Sequence, residues 1–398
     1  MDSNKDPKPV RTRKKYKKKK AFKSFKGNKI PNGMLLLILV SILCIFGLYM
    51  VYSASYVGVV SASGELTSPW YYLVRQLRGI VLGVILGYIF FRLPSMNVKA
   101  QRIIIGGFFI VSFLLLIYAY AFGEAINGST RWIQLPFINI QPSELLKIAL
   151  VLVVASLLSK MKKHIVIFFL LSLIIPAMVA IENLSSGLLM IAAVFVMFAV
   201  YGLKKYQIIT FTSIIGVFGV LFILFEPYRL GRITNYLTML VNPLKADYQT
   251  KESLYALANG GIAGKGITYS TQKFFYLPEH HTDFIFAIIG EELGFLGEII
   301  LMGLFFLMVY FIYQIAIQAK TLFMKYACLG FGTLFAIQIV LNIGVVSGLL
   351  PVTGVTLPFL SYGGSSLMTS LMMIGFVLGC SELKRREKNR WGRKRAIT

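Results

Sequence analysis

Charge is what this chain of 398 residues has least of: Asp, Glu, Lys and Arg together make up 14% of it, against 57% hydrophobic residues. About a quarter of a soluble domain is charged, so the composition and a mean hydropathy of +0.72 exclude an ordinary soluble enzyme. Acids are scarcer than bases, 16 against 41, and the formal charge is +25. Cysteine is nearly absent. Cys44, Cys328 and Cys380 fall in or beside apolar runs with no disulfide or metal spacing, and read as small hydrophobes. The first apolar run begins at Met34 behind a charged leader too long for an ordinary signal peptide and outlasts an h-region, so it is expected to be a retained transmembrane helix. No internal repeat of the transporter type is visible.

What the chain does have is apolar runs long enough to cross roughly 30 Å of hydrocarbon. They lie at about 34–54, 71–91, 103–122, 143–159, 165–181, 185–202, 207–226, 284–312, 326–349 and 364–381. The expected fold is therefore an all-α polytopic membrane protein with ten transmembrane helices and both termini on one side. Residues 1–29 hold 13 Lys/Arg, and 382–398 hold eight. With these tails in the cytoplasm, the connections 92–102, 160–164, 203–206 and 313–325 carry ten bases and no acid. That partition obeys the positive-inside rule, whereas nine or eleven spans would put the basic C-terminal tail outside. The expected organisation is a basic tail 1–33, a membrane domain 34–381 and a second basic tail 382–398. Polybasic stretches abutting apolar helices favour anionic lipid over nucleic acid, and no nucleic-acid partner is expected.

On this topology the long segment 227–283, between spans seven and eight, is extracytoplasmic, as are 123–142 and 350–363. Long connections tend to carry function. The densest polar stretch is Tyr276-Leu-Pro-Glu-His-His-Thr-Asp-Phe-Ile-Phe286, followed by Gly290-Glu-Glu-Leu-Gly294. Glu279, His280, His281, Thr282 and Asp283 stand at a helix entry, with Glu291 and Glu292 deeper. A carboxylate there is either a helix cap or, among other acids and partly desolvated, a general base. Consecutive histidines on a helix diverge by about 100° and suit shared metal ligation poorly.

A second group is Asn127-Gly-Ser-Thr-Arg-Trp-Ile133 with Gln141-Pro-Ser-Glu-Leu-Leu-Lys147. Glu144 and Lys147 are i,i+3, either a neutralising local pair or part of a site in which Lys147 and Arg131 meet a phosphate. Asn127-Gly-Ser also matches a glycosylation sequon, a pattern frequent by chance. Arg75 and Arg78 either snorkel to headgroups or hold a diphosphate. The segment Asn342–Ser366, with its prolines and glycines, reads as broken chain lining a cavity or as small residues that let helices pack closely.

Together these motifs resemble the SEDS family of polytopic membrane proteins, whose FtsW, RodA and SpoVE branches polymerise peptidoglycan. The resemblance runs from span one to span ten. It rests on Arg-Trp-Ile, Gln-Pro-Ser-Glu-Leu-Leu-Lys, Leu-Pro-Glu-x-His-Thr-Asp-Phe-Ile-Phe-Ala, Gly-Glu-Glu-Leu-Gly, Leu-Leu-Pro-Val-Thr-Gly-Val-x-Leu-Pro and Ser-Tyr-Gly-Gly-Ser-Ser. Gly-Glu-Glu-Leu-Gly and the basic N-terminal tail look most like the FtsW branch. One element departs from the family: Ile181-Glu-Asn-Leu-Ser-Ser186 stands where the family has Gln-Pro-Asp-Leu-Gly-Thr, so Asn183 occupies the Asp position.

The resemblance implies a bacterial cytoplasmic-membrane glycosyltransferase, working in cell division, that polymerises lipid II into β-1,4 glycan strands at the outer face with inversion. It implies Asp283 as the catalytic residue. The expected substrate-contacting residues are Glu144, Lys147, Arg131, Arg75, Arg78, Glu279, His281, Thr282 and Ser361. Implied partners are a class B penicillin-binding protein and other divisome proteins. Mg2+ or Mn2+ is left open as a cation that would share the charge of the leaving group, with no ligand set visible. A lipid II flippase and a non-catalytic divisome scaffold are the rival readings. Short, purely basic inner connections argue against the first, and the outer Asp/Glu/His cluster against the second.

Overall fold

The computed structural model describes residues 30–56, 68–126, 129–134, 139–161, 163–242 and 245–397, so residues 1–29 of the basic N-terminal tail lie outside the described residues. Among the described residues twelve α-helices follow one another: α1 (Asn32–Ala54), α2 (Pro69–Arg92), α3 (Val98–Phe122), α4 (Pro142–Leu158), α5 (Ile165–Glu182), α6 (Leu184–Tyr201), α7 (Lys205–Leu224), α8 (Pro227–Val241), α9 (Tyr248–Gly260), α10 (Ile285–Ile317), α11 (Leu322–Val346) and α12 (Gly364–Ile397). Among the described residues, eight helices are long and apolar enough to cross a membrane. The expected spans four and seven, α4 and α7, are not among those eight. α4 has only 17 residues.

Burial separates an inner set of helices from an outer one. α4 is buried on all sides from Pro142 to Leu152, although its sequence is about as apolar as that of α3. By contrast, α2 and α3 expose Val81, Val84, Ile85, Ile103, Ile110 and Leu114, a surface suited to hydrocarbon. α2 and α12 pack through small residues. A Cβ on Gly79 would lie 3.0 Å from the Gly364 Cα, and one on Gly375 would lie 2.1 Å from the Gly87 carbonyl oxygen. The small-residue reading of the Gly363-Gly364 region therefore holds at this contact.

Two expectations are corrected. The chain is not wholly helical: β1 (Glu124–Ile126), β2 (Ser129–Gln134) and β3 (Asn139–Ile140) form an antiparallel sheet in the order β1-β2-β3. Asn127-Gly128, between the first two strands, is a strong hairpin signal that the glycosylation reading overlooks; both residues lie outside the described residues. Segment 227–283 is not a bare loop either. Pro227 starts α8 at N1, and the Asp247 side chain accepts from the Thr250 amide (3.2 Å) to start α9.

Candidate functional site at the start of α10

α10 is broken at Gly294, whose φ of 68° and ψ of −173° belong to a region open essentially to glycine. The break frees backbone groups on both sides, and the chain after α9 takes them up. The Lys265 and Gly266 amides donate to the carbonyls of Glu291 and Glu292 (3.0 Å each), while the Phe295 and Leu296 amides donate to the carbonyls of Gly261 and Ile262 (2.9 and 3.2 Å). Such re-pairing is what lets a helix break survive beneath a protein surface. The fit demands bare backbone: a Cβ on Gly264 would stand 2.2 Å from the Glu292 carbonyl oxygen. Residues 285–293 thus form a short, buried half-helix clasped by segment 260–266.

Asp283 stands two residues before that half-helix and is partly exposed, among buried neighbours. Phe284 occupies the N-cap of α10, and Asp283 precedes it. The Asp283 carbonyl accepts from Asn342 Nδ2 of α11 (2.7 Å), which also donates to the Val355 carbonyl (2.6 Å). Its Oδ2 lies 3.3 Å from where a Cβ on Gly354 would be. Just upstream, Glu279 takes a left-handed φ of 54° and its carboxylate accepts from the Thr282 hydroxyl (2.7 Å).

Glu144 and Lys147 form an ion pair of 2.7 Å at the start of α4, with side chains 9% and 2% exposed. Segment 354–369 connects this pair to Asp283. From Gly354, beside Asp283, the chain reaches Thr356, whose hydroxyl meets Ser366 Oγ (3.0 Å). One turn further along α12, Thr369 donates to Glu144 Oε2 (3.3 Å). The departed element joins the same neighbourhood: Asn183 Oδ1 caps α6 by accepting from the Ser186 amide (3.1 Å), and Ser185 donates to the Thr353 carbonyl (2.6 Å). Asn183 thus performs the capping task for which Asp or Asn serve equally.

The two arginines of α2 part company. Arg75 lies over the Tyr71 ring (4.4 Å) and hydrogen-bonds Tyr362, whereas Arg78 is exposed. Tyr362 packs edge-on against Tyr72 (4.9 Å between centroids), and Tyr72 against His281 (4.8 Å). The Tyr362 amide donates to the His281 carbonyl (2.9 Å). Ser361 is committed to its own turn, its Oγ accepting from the Leu357 amide (2.7 Å) and its carbonyl from Gln76 Nε2 (3.0 Å). Arg131 is on β2, and its side chain lies outside the described residues.

Burial pushes both imidazoles below the ordinary histidine range, His281 to about 3 with His280 beside it adding to the shift. His280 Nδ1 is engaged with the Leu277 carbonyl (2.8 Å) while His281 stacks among tyrosines, so the two rings do not converge on a common ligand. Among the described residues no three His, Cys, Asp or Glu side chains cluster as a metal site would require. These residues therefore do not by themselves build a dedicated Mg2+ or Mn2+ site.

A family model described as "Cell cycle protein", that of FtsW, RodA and SpoVE, matches residues 34–386. The chain belongs to the FtsW/RodA/SpoVE family. It is 38% identical to stage V sporulation protein E of Bacillus subtilis over 368 residues, covering 90% of this chain and 99% of that protein. It is 37% identical to a probable peptidoglycan glycosyltransferase FtsW of Coxiella burnetii, over 83% of this chain and 91% of that one. Among solved structures it is similar to a chain of a peptidoglycan synthase complex in which polymerization and crosslinking are coordinated (TM-score 0.70, 25% identity, 88% of this chain and 98% of the other). It is also similar to the rod shape determining protein RodA of Thermus thermophilus (TM-score 0.64, 25% identity, 88% and 96%). This family is the one that the SEDS motifs imply.

Reading by motif names Asp283, Glu144 and Lys147, but it passes over Lys265, Ser270, Lys273 and Asn342. Of these, Asn342 carries a usable signal, since an amide in the middle of an apolar span must find buried partners.

Proposed function

We propose that this chain is a peptidoglycan glycosyltransferase of the bacterial cytoplasmic membrane, acting in cell division, with Asp283 as its general base. α4 and α7 complete the eight apolar helices to ten spans, both termini are cytoplasmic, and segment 227–283 is extracytoplasmic. The substrate is lipid II. The 4-hydroxyl of the acceptor sugar gives its proton to the Asp283 carboxylate as its oxygen attacks the donor's anomeric carbon. The bond from that carbon to the diphosphate breaks, the lipid diphosphate leaves and the centre inverts. Lys147, paired with Glu144, offsets charge that develops on the departing diphosphate, and Arg75 on its tyrosine platform holds the diphosphate in ground state and transition state alike. Glu279, Thr282 and His281 shape the approach to Asp283. A class B penicillin-binding protein would receive the glycan strand, in keeping with the synthase complex that this fold resembles.

The observation that carries this reading is the setting of Asp283. It is a partly exposed carboxylate at the mouth of a buried half-helix, its backbone held by Asn342 and its side chain facing a glycine that leaves room beside it. The test is polymerisation of lipid II by the purified chain, supplied with its transpeptidase partner if required. Asp283→Asn is expected to abolish strand formation while the protein stays folded. Retained polymerisation overturns the reading. Translocation of labelled lipid II by the Asp283→Asn protein in liposomes would favour the flippase.

A further inference from the structure

Two buried glutamates near the break in α10 are used by no step of this chemistry. Glu291 and Glu292 are 0% and 1% exposed. Adjacent residues of a helix point about 100° apart, and these two reach different neighbours. Glu291 accepts from Lys265 Nζ (2.7 Å), Thr271 Oγ1 (2.6 Å), the Gln272 amide (3.1 Å) and Ser270 Oγ. Glu292 Oε1 accepts from Lys273 Nζ (3.1 Å) and from Ser53 Oγ at the end of α1 (2.7 Å). Lys273 is itself 1% exposed and also donates to the Thr268 carbonyl. Every side-chain partner except Ser53 comes from the stretch 265–273, between the clasp of α10 and Asp283.

That stretch and its continuation are under backbone strain. Thr268 (φ 69°), Phe275 (φ 65°) and Glu279 (φ 54°) are all left-handed without being glycine. Residues stay in such conformations only where their surroundings over-determine them. Lys273 binds the Thr268 carbonyl and Glu292 together, so the strain at Thr268 is held directly by the ion pair. Asp283 lies at the end of this strained path, eight residues before Glu291.

We propose that Glu291 and Glu292 are positioning residues for polymerisation. Through Lys265, Ser270 and Lys273 they lock the strained segment 265–279 onto the first half of α10 and α1, and so fix where Asp283 stands against Gly354 and Asn342. The proposal rests on the reading of Asp283 as the base. Two charges, each matched to a lysine from one loop, specify a single docked position for that loop. Apolar contacts would allow it to slide.

The experiment measures kcat and KM for lipid II polymerisation per mole of folded full-length protein, with its transpeptidase if needed. The variants are Glu292→Gln, Lys273→Met, the two combined, Lys273→Arg, Lys265→Met and Asp283→Asn. A displacement of about 1 Å at a reacting group costs on the order of a hundredfold. Glu292→Gln and Lys273→Met are therefore expected to lower kcat by about tenfold to a hundredfold with KM little changed. The double variant leaves no unmatched buried charge and should recover part of the loss, and Lys273→Arg should stay near wild type. Lys265 is 31% exposed, so Lys265→Met tests the lock even where the buried variants do not fold, and should also lower kcat at unchanged KM. If these variants reduce only the yield of folded protein, or shift only KM, the proposal is overturned. If Asp283→Asn polymerises at the wild-type rate, the base assignment fails instead, and the two failures are told apart.

Discussion

Two lysine–glutamate pairs lie deep in this protein with similar geometry and different reach. Lys147–Glu144 spans 2.7 Å within one turn of α4, while Lys273–Glu292 spans 3.1 Å between a loop and a helix 19 residues further on. In both pairs every side chain is less than a tenth exposed, so each charge carries a desolvation cost that its partner must offset. The ion pair itself joins no two elements, since both groups move with α4; beyond that helix Glu144 accepts from the Thr369 hydroxyl of α12. The second pair ties segment 265–273 to α10 and, through Ser53, to α1. A charge pair within a helix is free to face a substrate, whereas one between elements is a fastener.

The sharpest way to break this comparison is to discharge the local pair one residue at a time. Glu144→Gln strands a buried ammonium and should lower stability by about 3–5 kcal/mol, read by thermal unfolding in detergent. Combining it with Lys147→Met should restore most of that stability. If the pair serves the substrate, as proposed, the double variant stays inactive; a double variant that regains both would make Lys147–Glu144 structural only. Next in size is Gly294→Ala, which forces a side chain into a glycine-only backbone region at the break that segment 260–266 clasps, two residues beyond the fastener's Glu292. It should cost about 1–3 kcal/mol and expose segment 260–266 to hydrogen exchange. Unchanged protection there would mean that the clasp does not depend on the break.

Acid should separate the two regions as well. His280 and His281 adjoin the fastener side, and both titrate below the ordinary imidazole range in the folded chain. Below about pH 6.5 the unfolded chain binds protons that these rings refuse. Their contribution to stability is therefore complete above that pH and is lost as pH falls toward the folded value of His281, about 3. The loss is at most about 1.4 kcal/mol per pH unit for each ring. Replacing His281 by Gln should flatten this acid limb of the unfolding profile, while a slope identical to wild type would contradict the buried, neutral assignment.

How much of this is legible in the sequence follows the same division. Apolar runs mark the helices because hydrocarbon-length stretches need no knowledge of neighbours, and Glu144–Lys147 is legible because i,i+3 spacing puts both groups on one face. Pro227 and Asp247 mark the starts of α8 and α9, though a reading focused on membrane spans passes over both. The lock is illegible, because Lys265 and Lys273 look like ordinary loop charges until the fold sets them against Glu291 and Glu292. Nor does composition show that α4 is enclosed and α3 exposed, since both are equally apolar and only packing distinguishes them.

The smallest effect expected is at α2, where two arginines one turn apart look equivalent in sequence and are not equivalent in space. Arg75 sits on Tyr71 and bonds Tyr362, which packs through Tyr72 toward His281, whereas Arg78 is exposed. Arg78→Gln should change stability by no more than about 0.5 kcal/mol and leave polymerisation near wild type. Arg75→Gln should act on binding, raising KM for lipid II while kcat changes little, because a cation that neutralises a diphosphate in ground state and transition state alike contributes uniform binding. Lys147 is the contrasting case: if it acts on charge that develops as the diphosphate leaves, its loss falls on kcat. Equal effects at Arg75 and Arg78 would mean that long-range charge on α2, and not the tyrosine-held guanidinium, is what the substrate meets.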